Sequence, residues 1–242
     1  MQFESILITG TDTGVGKTTV TCGIAAALHR RGHRIGVFKP AETGCLPIAE
    51  GSLLPADAAR LRFFSGCELD LQTVCPYVFR EPLAPSLAAQ RAGIRIDFAH
   101  LLHCHDVVAT QHDLTFIEGA GGLLVPITAA LTFADFALRL GVPIVIVVGS
   151  RLGAINHALL TARYARFIGL HVLGYIVNFL TAETGLAAET NIGMLEQWLG
   201  PPLGVVPHLG EIGETPAERE RLATLFSARL HIEQLLLPRR EQ

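Results

Sequence analysis

A short apolar segment, a glycine-rich loop and an amphipathic stretch follow one another near the start of the 242-residue chain. Residues 5–9 read Ser-Ile-Leu-Ile-Thr, which predicts a buried strand, and residues 18–31 have the apolar spacing of a helix. The loop between them contains the run Gly14-Val15-Gly16-Lys17-Thr18. In this order, backbone N–H groups and a helix N-terminus surround a phosphate, a lysine reaches its β and γ oxygens, and a threonine holds Mg²⁺. The segment therefore predicts a nucleoside triphosphate site.

The loop departs from the usual phosphate-binding pattern at one position. Five residues separate Gly10 from Gly16 where the pattern has four, so Thr11 stands where the first glycine is expected. A dinucleotide-binding loop is the alternative for a glycine-rich turn after a strand. That alternative is disfavoured because Lys17 replaces the small residue on which such a helix packs against its strand.

The rest of the chain alternates apolar runs with longer amphipathic segments. The runs are continuously apolar, which indicates strands buried on both faces of a parallel sheet. We predict strands at 35–39, 114–118, 143–148, 171–178 and 203–207, and helices at 132–140, 153–168, 186–199 and 216–230. Residues 40–55 are predicted to form a long loop, and Phe63, Phe64 and Trp198 to lie in the core. The expected fold is α/β and three-layered, with a mostly parallel central sheet, helices on both faces, and a single domain over residues 1–242.

Only two of the 19 basic residues are lysines, Lys17 and Lys39. Because lysine carries a compact ammonium and arginine a planar fork, two retained lysines indicate positions that need the smaller charge. Lys39 ends the second predicted strand, and open α/β sheets form their sites at the carboxyl ends of strands. If the first two strands are neighbours or lie one strand apart, Lys39 faces the γ-phosphate and stabilises charge during phosphoryl transfer. The alternative is an ordinary surface lysine at a strand end.

Two carboxylates are candidates for a Mg²⁺ site. Glu118 ends another predicted strand and precedes the run Gly119-Ala120-Gly121-Gly122. An acid at this place is typical of a Mg²⁺ ligand in phosphoryl-transfer enzymes, although an ordinary turn between strand and helix is the alternative. Asp57 precedes two alanines, and by itself it is most simply interpreted as the N-cap of a helix.

Composition and charge exclude several classes of partner. The formal net charge of -3 provides no basic surface for nucleic acid or an anionic membrane, so neither partner is expected. No apolar run approaches the ~20 residues that cross a bilayer, and the first residues lack the basic segment of an export signal. Five cysteines without a C-x-x-C pair suit reduced thiols, so we expect a cytoplasmic protein. The three histidines of the segment 100–105, His100, His103 and His105, are interpreted as a helix face rather than a zinc site.

Several ordered motifs together resemble the dethiobiotin synthetase family of phosphate-loop NTPase-like enzymes. They are Thr9 to Thr13 with Val15 to Thr18, Lys39-Pro40 with Gly44, Glu118 to Gly122, Thr132 to Asp135, Pro143 to Gly149, and Leu152-Gly153 with Ile155 to Ala158. The resemblance implies that 7,8-diaminononanoate reacts with CO₂ to a carbamate, which ATP phosphorylates with Mg²⁺ present. The second amine then closes a ureido ring, and ADP and phosphate leave.

The resemblance also implies a role for each matching residue. Lys39 would be the catalytic lysine, and Thr18, Asp57 and Glu118 would hold Mg²⁺. The ATP-binding residues would be Gly14, Val15, Gly16, Lys17, Thr18, Thr19, Glu118, Gly119, Ala120, Gly121, Asn178, Pro207, His208 and Leu209, with the last four on the adenine side. Thr13, Thr43, Gly153 and Asn156 would bind substrate, with the helix after Gly153 contributed by the second subunit of a homodimer.

Two residues and one rival function leave alternatives open. Thr43 stands where the family pattern has a serine. The threonine keeps the hydroxyl group of serine and adds a methyl group. For Asn156 and its neighbour His157, capping and packing of their own helix is the alternative to substrate binding. A nucleotide-dependent partitioning protein is a rival function, but its phosphate loop carries an additional lysine near the start, and residue 11 here is threonine.

Overall fold

The computed structural model describes residues 4–48, 51–182 and 185–236. Its strands are β1 (Ser5–Gly10), β2 (Ile35–Phe38), β3 (Ala41–Thr43), β4 (Leu46–Pro47), β5 (Leu53–Leu54), β6 (Tyr77–Phe79), β7 (Leu114–Gly122), β8 (Ile144–Gly149), β9 (Val172–Asn178) and β10 (Gly204–Val206). Its α-helices are α1 (Lys17–Arg30), α2 (Ala56–Ser65), α3 (Leu71–Val74), α4 (Pro85–Ala92), α5 (Phe98–Gln111), α6 (Phe133–Leu140), α7 (Ala154–Phe167), α8 (Leu186–Leu199) and α9 (Pro216–Arg229).

The central sheet is parallel, and within the described ranges it has six strands in the order β10-β9-β8-β1-β7-β2. The strand β7 lies between β1 and β2, so the first two predicted strands are one strand apart. All of these strands end at the same edge of the sheet. That edge therefore collects the residues that follow β1, β2, β7, β9 and β10.

Side chains alternate along the strands and build a core on each face of the sheet. In β1, Ile6 and Ile8 pack with α1, α2 and α9, whereas Leu7 packs with α5, α6 and α7. Helices thus cover both faces, which confirms the predicted three-layer α/β fold. No helix of the described residues is both long enough and apolar enough to cross a bilayer.

The long loop predicted over residues 40–55 contains short strands that the sequence did not indicate. The strand β3 pairs in parallel with β6, and β4 pairs with β5 in an antiparallel ladder. Each is two or three residues long, too short to show the long apolar run that marked the central strands. The described residues of this region are therefore partly in strands rather than in a plain loop, and residues 49–50 lie outside the described ranges.

Most predicted elements agree with the structure to within one or two residues. One strand and one predicted core residue differ. The strand β7 does not end at Glu118 and continues through the glycines to Gly122. Trp198 was predicted in the core, yet it is 55% exposed, and the Arg163 guanidinium lies over its ring at 5.5 Å. The predicted helix starts are confirmed, since Thr132 forms a capping box with Asp135 and Thr215 accepts a hydrogen bond from the backbone of Glu218.

The histidine segment does not form a metal site in the part of the chain that the structure describes. His100 and His103 lie on the exposed side of α5, and His105 is buried with its Nε2 atom 2.9 Å from the Ser5 hydroxyl. No group of three or more His, Cys, Asp or Glu side chains there is arranged to hold a metal ion.

Candidate active site

The glycine-rich loop connects β1 to α1 and depends on two glycines with positive φ. Gly14 has φ 72° and Gly16 has φ 86°, in the left-handed region that disfavours other residues. The loop folds back on itself, and the Lys17 ammonium donates a hydrogen bond to the carbonyl oxygen of Asp12 at 3.3 Å. Burial lowers the pKa of Lys17 to about 8. The loop therefore holds the ammonium of Lys17, the first residue of α1, close to the loop backbone at Asp12.

Three neighbouring strands bring residues that are far apart in the sequence into one cluster. Glu118 is fully buried in β7, between the two strands that lead to Thr18 and Lys39. Its Oε1 atom accepts hydrogen bonds from the Thr18 hydroxyl at 2.8 Å and from the Lys39 ammonium at 2.6 Å. Lys39 is only 3% exposed, so the interpretation as an ordinary surface lysine is wrong. The strand also continues past Glu118, so the interpretation as an ordinary turn is wrong.

Asp57 joins this cluster from the start of α2. Its Oδ2 atom accepts a hydrogen bond from the Lys39 ammonium at 2.9 Å. The N-cap residue of α2 is Pro55, and Asp57 is the second residue of the helix. The interpretation of Asp57 as a simple N-cap is therefore wrong, because its carboxylate faces Lys39.

Sequence reasoning missed Glu42, which lies in β3 three residues after Lys39. Its two carboxylate oxygens accept hydrogen bonds from the backbone N–H groups of Asp57 and Ala58, each at 2.9 Å. Capping residues are sought immediately before a helix, whereas this carboxylate is 15 residues away from Asp57 in the sequence. The one sequence feature that could have drawn attention to Glu42 is that it is an acidic residue in the same short segment as Lys39.

The charges in the cluster stabilise one another. Burial lowers the pKa of Lys39, but the Glu118 and Asp57 carboxylates outweigh it and raise this pKa above its ordinary value. Burial likewise raises the pKa of Asp57, but the ammonium of Lys39 outweighs it and lowers this pKa. At neutral pH the cluster therefore holds Lys39 as an ammonium and Asp57 as a carboxylate.

The oxygen atoms of the cluster fit a divalent cation. Thr18, Asp57 and Glu118 supply hydroxyl and carboxylate oxygens, which are the ligands that Mg²⁺ prefers. Glu118 Oε2 is buried and has no hydrogen-bond partner among the described residues. An unpartnered buried carboxylate oxygen is costly unless a cation or donor meets it, so the donor set and this free atom suit Mg²⁺.

The other residues predicted around the phosphates line the same edge. Thr19 is in the first turn of α1, and Gly119, Ala120 and Gly121 continue β7 beyond Glu118. A Cβ added at Gly121 would lie 3.2 Å from the Thr13 hydroxyl, so Thr13 approaches β7 closely at this point.

The residues predicted on the adenine side follow β9 and β10. Asn178 ends β9, is 5% exposed, and donates a hydrogen bond from its side-chain amide to the carbonyl oxygen of Val15 at 2.9 Å. It pairs with Val206 at the end of β10, after which come Pro207, exposed His208 and Leu209. The structure therefore places the side chain of Asn178 directly against the phosphate loop.

The predicted substrate residues are more scattered. Thr43 ends β3 opposite Phe79, and Gly153 is the N-cap of α7 with φ 90°. Asn156 is exposed on the first turn of α7, whose N-cap residue is Gly153 rather than Asn156. Within one chain, no described hydrogen bond joins Thr43 or Asn156 to the cluster around Lys39.

A cavity of about 630 Å³ opens beside Thr13. The phosphate loop, the segment after β7 and helix α7 border it, and its lining includes Leu123, Val125, Leu160 and Tyr164. The cavity thus combines an apolar wall with the polar backbone of the phosphate loop.

A parallel sheet with a Gly-Lys-Thr loop after β1 and a buried acid at the end of a neighbouring strand defines a phosphate-loop nucleotide-binding protein. Solved structures agree on this fold. A chain of the MinC:MinD cell division protein complex of Aquifex aeolicus has a TM-score of 0.54 at 13% identity, with 98% of each chain covered. The ParA family ATPase of Chlorobium tepidum TLS has a TM-score of 0.51 at 15% identity, covering 93% of this chain and 92% of that one. At these identities the likeness shows the fold alone.

Sequence comparisons are more specific. Residues 4–217 match a family model described as an AAA domain. Proteins named ATP-dependent dethiobiotin synthetase BioD are similar in Bacillus licheniformis (38% identity, 88% of this chain and 89% of the relative), Anaeromyxobacter sp. strain K (42%, 73% and 77%) and Pseudomonas aeruginosa strain UCBPP-PA14 (40%, 89% and 93%). The chain belongs to the ATP-dependent dethiobiotin synthetase family, a family of ligases that form carbon–nitrogen bonds.

Proposed function

We propose that the protein forms dethiobiotin from 7,8-diaminononanoate, CO₂ and ATP. One amine of the substrate adds to CO₂ and loses a proton, giving a carbamate. A carbamate oxygen attacks the γ-phosphorus of ATP, which releases ADP and gives a carbamic-phosphoric anhydride. The second amine attacks the carbonyl carbon, closes the ureido ring and expels phosphate. The whole chain, residues 1–242, is proposed to act as one domain.

The observation that carries this proposal is the position of Lys39. Its ammonium lies within hydrogen-bond distance of both Glu118 and Asp57, and Glu118 in turn accepts a hydrogen bond from Thr18 of the phosphate loop. A buried positive charge next to the phosphate loop supports a role as the catalytic residue, because it can stabilise charge on the γ-phosphate and the carbamate during transfer.

The remaining phosphate contacts follow from the loop. We assign the β and γ oxygens of ATP to Lys17, and the surrounding contacts to the backbone from Gly14 to Thr19 and from Glu118 to Gly121. Thr18, Asp57 and Glu118 are assigned to hold Mg²⁺, which when bound neutralises charge on the β and γ phosphates. Asn178 and the Pro207-His208-Leu209 turn are assigned to adenine, since Asn178 donates a hydrogen bond to Val15 of the phosphate loop and pairs with Val206, which directly precedes the turn.

The diamine is assigned to the cavity beside Thr13. Its apolar wall suits an aliphatic chain, and Thr13 in its lining offers a hydroxyl group to the amines or the carbamate. Following the family pattern, we assign the Thr43 hydroxyl to the same groups. The carboxylate of the substrate is assigned to the first turn of α7 at Gly153 and Asn156, because a helix N-terminus favours an anion. Following the family pattern, we propose that this helix comes from the second subunit of a homodimer in the cytoplasm.

The experiment that tests the function measures phosphate release from ATP with Mg²⁺ and bicarbonate, with and without 7,8-diaminononanoate. The ureido product is followed by mass in the same samples. We expect phosphate release to depend on the diamine and to match product formation. Release that ignores the diamine would contradict the proposal and favour a nucleotide-dependent switch.

A further inference from the structure

Glu42 is a buried carboxylate to which the proposed function assigns no part. It is 6% exposed and lies in β3, between Ala41 and Thr43. Both of its oxygens are used, since Oε1 accepts from the backbone N–H of Asp57 and Oε2 from that of Ala58, each at 2.9 Å. A buried carboxylate that accepts hydrogen bonds from two backbone N–H groups fixes the orientation of those groups relative to itself.

Helix α2 needs such an acceptor because its own sequence provides none. The first N–H groups of a helix have no partner within the helix and are usually met by a side chain just before it. Here the N-cap residue is Pro55, and it makes no side-chain capping bond. The Asp57 carboxylate is directed instead to Lys39.

Asp57 is consequently held at two points by one short segment of chain. Lys39 binds its carboxylate, and Glu42 binds its backbone N–H. The segment is itself anchored, because Glu42 pairs with Val78 in the ladder between β3 and β6 and the Lys39 N–H donates to the carbonyl oxygen of Val74 at 2.8 Å. The location of Asp57 relative to Glu118 therefore depends on the contact between Glu42 and α2.

We propose that Glu42 is a positioning residue that fixes the Asp57 carboxylate in the cation site through the N-terminus of α2. The proposal rests on the metal role assigned to Asp57 under the proposed function. Glutamine at this position has only one acceptor oxygen, so one of the two N–H groups would face an amide NH₂ group, and α2 would shift or loosen at its first turn. Groups that hold metal ligands in place typically contribute about 10–100-fold to metal affinity.

The test is the affinity for Mn²⁺, measured by electron paramagnetic resonance with a non-hydrolysable ATP analogue present. We expect E42Q to bind Mn²⁺ about tenfold more weakly than the wild-type chain. The matched control is D97N, which weakens another acidic cap, because the Asp97 carboxylate accepts from the Ala99 N–H at 2.9 Å at the start of α5. D97N should leave Mn²⁺ affinity unchanged, and equal losses in the two variants would overturn the proposal.

A double-mutant cycle separates positioning from general stability. D57N alone should weaken Mn²⁺ binding, and adding E42Q to D57N should cause a much smaller further loss, because the carboxylate that Glu42 positions is by then a neutral amide. Additive losses would overturn the positioning role. If E42Q does not fold, E42D is measured instead, since it keeps the charge and shortens the reach by one methylene group.

The cycle also distinguishes this proposal from the proposed function. Weaker Mn²⁺ binding in D57N with unchanged binding in E42Q would overturn the positioning role and leave the metal assignment standing. Unchanged binding in D57N would overturn both the metal assignment of Asp57 and the role of Glu42. Diamine-dependent phosphate release by the wild-type chain tests the reaction itself and depends on neither variant.

Discussion

The ammonium of Lys39 lies 2.6 Å from the carboxylate of Glu118, although 79 residues separate them in the sequence. Both side chains are buried, and Asp57 completes the cluster at 2.9 Å from the same ammonium. The compact ammonium of Lys39 thus lies between the carboxylates of Glu118 and Asp57.

Replacing Lys39 by arginine keeps the charge and changes its shape. We expect K39R to lower kcat by about 100-fold or more, because a planar guanidinium does not fit the place of an ammonium that is enclosed by protein. ATP affinity should change by no more than about threefold, since Lys17 and the loop remain. Steady-state kinetics and equilibrium nucleotide binding check both values. R34K, at a surface ion pair with Asp113, is the control and should keep full activity. Near-normal turnover of K39R would remove Lys39 from the mechanism.

Two glycines of the phosphate loop provide a matched pair of variants. Both have positive φ, but a Cβ added at Gly14 would meet nothing within 4 Å, whereas one at Gly16 would lie 2.1 Å from the Asn178 amide nitrogen. G14A should therefore cost about 1–2 kcal/mol of stability from backbone strain alone. G16A should cost about 1–3 kcal/mol more and should displace Asn178, weakening ATP binding strongly. Urea unfolding and nucleotide titration measure the difference, and equal effects in the two variants would show that Asn178 does not limit the space at Gly16.

The packing of α1 on α9 predicts opposite signs for one type of substitution. Glycine to alanine inside a helix normally stabilises by roughly 0.5–1 kcal/mol. G193A in α8 should do so, because its Cβ would meet nothing within 4 Å. G23A in α1 should instead destabilise by about 1–3 kcal/mol, since its Cβ would lie 2.2 Å from the ring of Phe226. Thermal unfolding of both variants decides this, and a stabilised G23A would mean that α9 moves away from α1 easily.

The pH dependence of stability should include a contribution from His105. Burial lowers its pKa below the ordinary value, and the nearby Asp106 carboxylate only partly offsets this. The unfolded chain then binds a proton more readily than the folded chain, so the contribution is present above the ordinary histidine pKa of about 6.5 and is lost as pH falls through the lowered pKa. Wild-type melting temperatures should drop more steeply below pH 6.5 than those of H105Q. The exposed neighbour His103 supplies the control, because H103Q should keep the wild-type slope.

Much of the site could be predicted from local sequence because its residues lie at or after the carboxyl ends of predicted strands. Lys39 follows β2, Glu118 ends the apolar run of β7, and Lys17 begins the helix after the loop that follows β1. Parallel strands bring these ends together. Asp57 follows a long loop, and a local N-cap was the simplest interpretation of this residue by itself. Glu42 was missed, since its partners lie in another element and no local pattern encodes a capping carboxylate from a distant strand.

The errors in the fold have the same origin. Trp198 has the spacing of a core residue in α8, but an arginine on α7 provides its contact at the surface. The strands β3 and β6 are three residues long, so periodicity could not mark them. Elements with long apolar runs were predictable, whereas those defined by a tertiary partner were not.

The insertion of β7 between β1 and β2 has a consequence for synthesis of the protein. The hydrogen bonds of Glu118 with Thr18 and Lys39 span 100 and 79 residues of sequence. A nascent chain that ends before β7 therefore contains the phosphate loop and Lys39 but not Glu118. Contacts of such long range form late and slowly. A nascent chain at that stage has the phosphate loop but lacks one residue of the proposed cation site, so that proposed site is assembled only when the middle of the sheet closes.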